Sequence, residues 1–201
     1  MKATGIFIEE HNVILKVLDC LKNIVDEMDK NNSLNAEAAN KAIDFIKNFA
    51  DHTHHAKEED RLFIAMEEHG FSRDGGPTGV MLHEHETGRE FVGGMARVVE
   101  KAAAGDKEAM QLFAENARNF IELLTNHITK ENNILFPMAD QTLGEDAMDK
   151  MLLEFKQIEA EAGGERHEKY FEVARQLCEQ YGVPIVENAQ IQTITTELIA
   201  N

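Results

Sequence analysis

The segment His54–Phe63, His-His-Ala-Lys-Glu-Glu-Asp-Arg-Leu-Phe, returns at His127–Phe136 as His-Ile-Thr-Lys-Glu-Asn-Asn-Ile-Leu-Phe, with His, Lys, Glu, Leu and Phe in matching places. On a helix, His and Glu four apart stand one turn above the other on a single face, so each copy offers an imidazole nitrogen and a carboxylate to one cavity. Two such helices placed face to face would share one polar centre. Such a centre suits two metal ions.

The rest of the chain reads as helix. Only three prolines occur, and the glycines cluster at 70–79, 88–94, 144 and 163–164, leaving long uninterrupted stretches between them. The expected helices cover about 4–30, 35–69, 78–104 and 107–140, with Ser33 or Asn35 capping the second and Gly105-Asp106 breaking and re-capping before the fourth. Pro137 is expected to kink the last turn of the fourth. Two shorter helices, about 145–162 and 165–181, meet at Gly163-Gly164. The predicted architecture is all-α, an up-down-up-down antiparallel four-helix bundle with two extra C-terminal helices. One domain is expected over residues 1–182, followed by an irregular tail over 183–201.

Apolar stripes support the bundle and carry polar residues within them. Phe7, His11, Ile14, Leu18, Leu21, Val25 and Met28 step by three and four along the first helix. Met81, His85, Gly88, Val92, Met95, Val99 and Ala102 do so on the third, and Phe113, Ala117, Phe120, Leu124, His127, Glu131, Ile134 and Met138 on the fourth. The second is less regular: Ile43, Ile46, Ala50, His54, Glu58 and Leu62 drift as on a straight helix. Six groups, His11, His54, Glu58, His85, His127 and Glu131, are therefore expected on core faces. Buried carboxylates and unpaired imidazoles are costly, so their convergence calls for a compensating cation.

Competing histidines are separated by helical phase. His83 lies off the stripe that holds His85. His55 with Glu59 offers a second register beside His54 with Glu58, but the second copy has Ile128 and Asn132 there, which selects His54 and Glu58. His52, His55, His69 and His83 are read as exposed or as outer neighbours of the site. His167 and Tyr170 either close the site or only pack, the methionines at 28, 81, 95 and 138 fill the core, and Cys20 is given no role.

Imidazole and carboxylate donors without thiolate suit iron, with manganese or zinc also accommodated. Two bridging glutamates with two histidines on each ion would leave positions for a solvent bridge and for O2 or NO. The His-then-Glu order departs from the Glu-x-x-His pattern of ferritin-like sites.

These motifs, with Ile8-Glu9-Glu10-His11, the run from Gly75 to Arg89 and Leu135-Phe136-Pro137, resemble the hemerythrin-like (HHE cation-binding) family over residues 4–180. The resemblance implies an oxo- or hydroxo-bridged di-iron centre with His11, His54, Glu58, His85, His127 and Glu131 as ligands. Oxygen-carrying members have a His-x3-His pair on the third helix, where this chain has Met81 before His85, and an Asp five residues after the fourth-helix histidine. Glu131 after His127 is instead similar to the bacterial iron-centre repair proteins.

A net charge of -17 would repel nucleic acid and anionic lipid, so neither is an expected partner. Cys20 and Cys178 form no disulfide framework, and neither a secretory signal nor a membrane span is legible, which makes the cytoplasm the expected compartment. The expected function is binding of O2 or NO in sensing, stress response or iron handling, rather than enzymatic turnover. The alternatives are an iron donor for iron-sulfur cluster repair, or a di-iron oxidase, peroxidase or NO reductase.

Overall fold

Four helical rods form the bundle in the computed structural model, which describes residues 2–161 and 166–184. The first is α1 (Ala3–Asn31), stopped where Asn32 enters the left-handed region at φ 50°. Asn35 opens the second by accepting the backbone N–H of Ala38 at 3.2 Å. This rod starts as α2 (Ala36–Phe45), widens into π-helical turns over Ile46–His55 and Glu58–Leu62, and returns to ordinary geometry as α3 (Phe63–Glu68). After the loop come α4 (Pro77–Ala103) and, past Gly105 at φ 89°, α5 (Lys107–Lys130), whose N-cap Asp106 accepts from Ala109 at 3.0 Å. The fourth rod continues through a π-turn at Glu131–Leu135 into α6 (Phe136–Thr142).

Neighbouring rods are α1 with the second rod, the second rod with α4, α4 with α5, and α5 with α1. That closed ring in chain order is the antiparallel up-down-up-down bundle. Two further helices, α7 (Glu145–Glu161) and α8 (Arg166–Tyr181), pack outside it, α7 on α1 and α8 across α1 and α2. The expected junction at Gly163-Gly164 and all but the first two residues of the expected tail lie outside the described residues. No helix among the described residues is long and apolar enough to cross a membrane.

The stripes of α1 and α4 are buried at every position named for them. The fourth rod departs from expectation after Glu131. Ile134 is exposed and Met138 only half-buried, while Leu135, Phe136 and Ala139 face the core. The reason is an extra residue in the turn: Phe136 donates its N–H to the carbonyl of Glu131, five residues back, which advances the inward face by one position. This widened turn, just before the proline that lacks an N–H, is the observed irregularity; the kink was expected in the last turn. The same geometry corrects the reading of the second rod, whose repeated steps of four follow its widened turns rather than the drift of a straight α-helix. Cys20, off the α1 stripe, is buried because α8 covers that side, with its sulfur 3.7 Å from that of Cys178.

The loop before α4 is closely built. A Cβ on Gly79 would lie 1.9 Å from the backbone carbonyl oxygen of Arg73, whereas one on Gly93 would meet only the flexible end of Arg97 at 3.3 Å. Gly79→Ala should therefore destabilise the fold by about 1–3 kcal/mol, and Gly93→Ala should be neutral or stabilising by up to about 1 kcal/mol. Urea denaturation of both variants checks the contrast; equal effects would contradict it.

Candidate metal centre

Each copy of the twin motif starts inside the bundle. His54 and Glu58 on the second rod, and His127 and Glu131 on the fourth, are all buried at 1% exposure or less. His11 from α1 and His85 from α4 complete the facing sides. The six expected residues thus share one buried centre, and His83 stays exposed.

A seventh residue joins them. His55 was expected to be exposed or an outer neighbour, but it is buried and lies flat on His85, with ring centroids 3.8 Å apart and planes inclined by 14°. The widened turn over Ile46–His55 carries both His54 and His55 against the interior, as the ordinary helix of the second copy does with His127 and Ile128. Two potential metal-binding groups result, His55, Glu58, His85 and His127 in one and His11, His54, Glu58 and Glu131 in the other.

The five imidazoles share one arrangement. Nδ1 is held from outside in every case: His54 by Glu10 at 2.8 Å, His127 by Glu84 at 2.9 Å, His85 by Glu59 at 2.7 Å, His11 by Asn132 at 2.8 Å and His55 by Asp51 at 3.4 Å. With Nδ1 engaged, Nε2 is the inward atom. This is how metal-ligating histidines are oriented by their outer partners. Glu58 directs one oxygen to His54 Nε2 at 3.4 Å and the other to His85 Nε2 at 3.7 Å. Glu131 does likewise, with His11 and His127 each at 3.2 Å.

Both carboxylates therefore straddle the two groups. Although these atoms lie within ion-pair range, all four oxygens and the Nε2 atoms of His11 and His54 lack an aligned hydrogen bond. Buried polar atoms left in that condition are expensive. The residues fit a pair of divalent cations placed among them, with imidazole and carboxylate donors suited to iron, manganese or zinc.

Comparison with known proteins bears on this geometry. The family model of the hemerythrin HHE cation-binding domain matches residues 3–139. The chain belongs to that family. Uncharacterized proteins of Mycobacterium bovis and of two Mycobacterium tuberculosis strains are each 24% identical to it over 167 residues, covering 83% of this chain and 62% of theirs. The chain thus spans less than two thirds of the length of these relatives. No solved structure matches it.

The remaining shared letters of the hemerythrin-like motif have roles that sequence reasoning passed over. The lysine of each copy, Lys57 or Lys130, contacts the carboxylate that holds the same copy's histidine: Lys57 reaches Glu10 behind His54, and Lys130 reaches Glu84 behind His127. The closing phenylalanines stack on the histidines of the other two rods, Phe63 on His85 at 5.9 Å and Phe136 on His11 at 5.5 Å. Leu62 and Leu135 are buried beside them. The repeated lysine, and Glu immediately before His at both 10–11 and 84–85, were the signals available.

His167 on α8 is buried and bonded through Nε2 to Glu10 at 2.8 Å, so it reaches the centre through that carboxylate. Tyr170 packs against Phe45 and Phe49. Arg89 joins Asp51 and Glu59, the outer partners of His55 and His85, at 2.8 and 2.7 Å. A cavity of about 210 Å³ borders the centre at His55, His85 and His127.

Charge within the metal-free centre is set by these neighbours. Burial pushes His54 down, but Glu58 and Glu10 outweigh it and carry the imidazole up to about 9. His127 is likewise raised to about 10, with Glu131 and Glu84 overcoming burial. Burial holds His55 and His85 low, the latter reinforced by its histidine neighbours. Glu131 stays well below the usual carboxylate range, because His127 and His11 overcome the upward push of burial.

At neutral pH the metal-free chain thus carries protons on His54 and His127 that a metal must displace. Because both folded-state values lie above the unfolded histidine value of about 6.5, their protonation stabilises the metal-free fold fully below that pH, and this is lost as pH rises through 9 to 10. Metal affinity should move the other way, rising with pH by up to about 100-fold per unit for two displaced protons until that range is reached. Adding zinc to metal-free protein in weak buffer with an indicator dye should release protons. Uptake without proton release would contradict the assignment.

Proposed function

We propose that this chain is a non-haem di-iron protein that binds O2 or NO at the centre formed by His11, His54, His55, Glu58, His85, His127 and Glu131, in sensing, stress response or iron handling. The observation that carries the reading is the common orientation of five buried imidazoles, Nδ1 held outside and Nε2 turned in toward two straddling carboxylates. Two iron ions held there would supply a reducible centre with room for a small diatomic ligand.

The protein's own part is positioning and exclusion of water. Phe7 meets His54 edge-on at 5.5 Å and stacks with Phe136 at 5.4 Å, closing the His11 and His54 side with apolar rings. Outer carboxylates backed by Lys57, Arg89 and Lys130 fix ring orientation and keep Nε2 available. A histidine-rich donor set supports ligand binding over strong oxidation.

Reconstitution with ferrous iron without oxygen, then metal analysis and visible spectra before and after O2 or NO, tests the proposal. Two irons per chain and new absorption bands on gas admission are expected; one metal, zinc alone or no spectral change would overturn it. Replacing both Glu58 and Glu131 by Gln should abolish two-iron loading while Gly93→Ala retains it. Release of the iron to an apo-cluster acceptor would redirect the reading to cluster repair.

A further inference from the structure

The two halves of the bundle correspond residue by residue around the centre. Glu10-His11 on α1 matches Glu84-His85 on α4, and the His54 motif matches the His127 motif. Continuing that register, Ile14 of α1 corresponds to Gly88 of α4. Ile14 is buried at 1% exposure and fills its side of the core. At Gly88 no side chain is present, and the cavity of about 210 Å³ lies there.

We propose that this cavity is a binding site for a neutral, apolar organic molecule of about the size of an aromatic ring, seated against His55, His85 and His127. Its volume decides against a diatomic as sole occupant. A water molecule's share of liquid volume is about 30 Å³, and a dry cavity of about 150 Å³ accommodates benzene. Ile46, Val92, Phe120, Leu123 and Leu124 supply the apolar part of the lining, and the three histidines and the charged groups at the margin complete it.

Charged groups at the margin are already matched. Asp51 is paired with Arg89 at 2.8 Å, and Glu84 with Lys130, while Lys47 and His52 are exposed at the rim. The lining therefore offers apolar contact and no buried unmatched charge, which selects against an ionic ligand. A Cβ at Gly88 would meet Phe120 at 3.5 Å and Leu123 at 3.8 Å, both ordinary contacts, so a methyl group fits there without backbone displacement. The site borders the metal centre through His55, His85 and His127, while its apolar walls come from residues outside both candidate metal groups.

Indole is a suitable probe, since the chain contains no tryptophan and the ligand's fluorescence is unobscured. Titration of the full chain, metal-free and zinc-loaded, should show saturable binding at one indole per chain in both forms. Gly88→Ile, which installs the residue of the corresponding position, should weaken binding by about tenfold or more, and Gly88→Ala by a smaller factor, with helical content and zinc uptake unchanged. Benzoate should bind more weakly than indole. Absence of saturable binding, an unaltered affinity in folded Gly88→Ile or Gly88→Ala, or preference for benzoate would overturn the proposal. Loss of metal uptake with indole binding intact would count against the di-iron reading alone.

Discussion

Two carboxylates and five imidazoles cannot share a dry core unless positive charge stands among them, and the bundle is organised around meeting that condition. In the metal-free chain, protons on His54 and His127 supply it in part. Divalent ions would supply it more fully, at atoms already turned inward. Behind the histidines, Glu10, Glu59 and Glu84 hold the rings, and Lys57, Arg89 and Lys130 hold those carboxylates. Charge therefore alternates outward in layers, from the centre to the cations, of which Lys57 is buried and Arg89 and Lys130 reach the surface. Lys57 is fully buried, with the Glu10 carboxylate and the Phe155 ring against its ammonium group.

The approximate duplication makes its own exceptions informative. Glu59 holds His85, whereas its counterpart Asn132 holds His11, so one inward imidazole is backed by a carboxylate and the other by an amide. His55 adds a donor where the second copy has Ile128. Both changes make the side with His85 and His127 richer in nitrogen donors and outer negative charge. The cavity borders that side, while Phe7 and Phe136 enclose the other. Two positions formed by related segments are thus chemically unequal.

Much of this could be seen in the sequence because bundle helices repeat their inward face at a fixed interval. The stripes of α1 and α4, both N-caps and the shared burial of His11, His54, Glu58, His85, His127 and Glu131 follow from that interval and from side-chain chemistry. His55 did not follow, because the comparison with Ile128 assumed that equivalent positions do equivalent work; both positions are buried, one with an apolar side chain and one with an imidazole. The exposed Ile134 had a different origin: a single extra residue in a turn leaves no mark on composition and shifts every later side chain. The outer partners were hidden for another reason, since Glu10, Glu84 and Lys57 resemble ordinary solvated charges until the rods are assembled.

The carbonyls of Glu58 and Glu131 each accept the N–H of the phenylalanine five residues on, so the residue that faces the centre also marks where the backbone changes pitch. Grafting His-x3-Glu onto an ideal helix would reproduce the letters and lose the phase that aims the phenylalanine at the histidine across the bundle. The motif is a piece of backbone curvature as much as a set of donors, and a transplant that moved only side chains would carry the ligands without their scaffold.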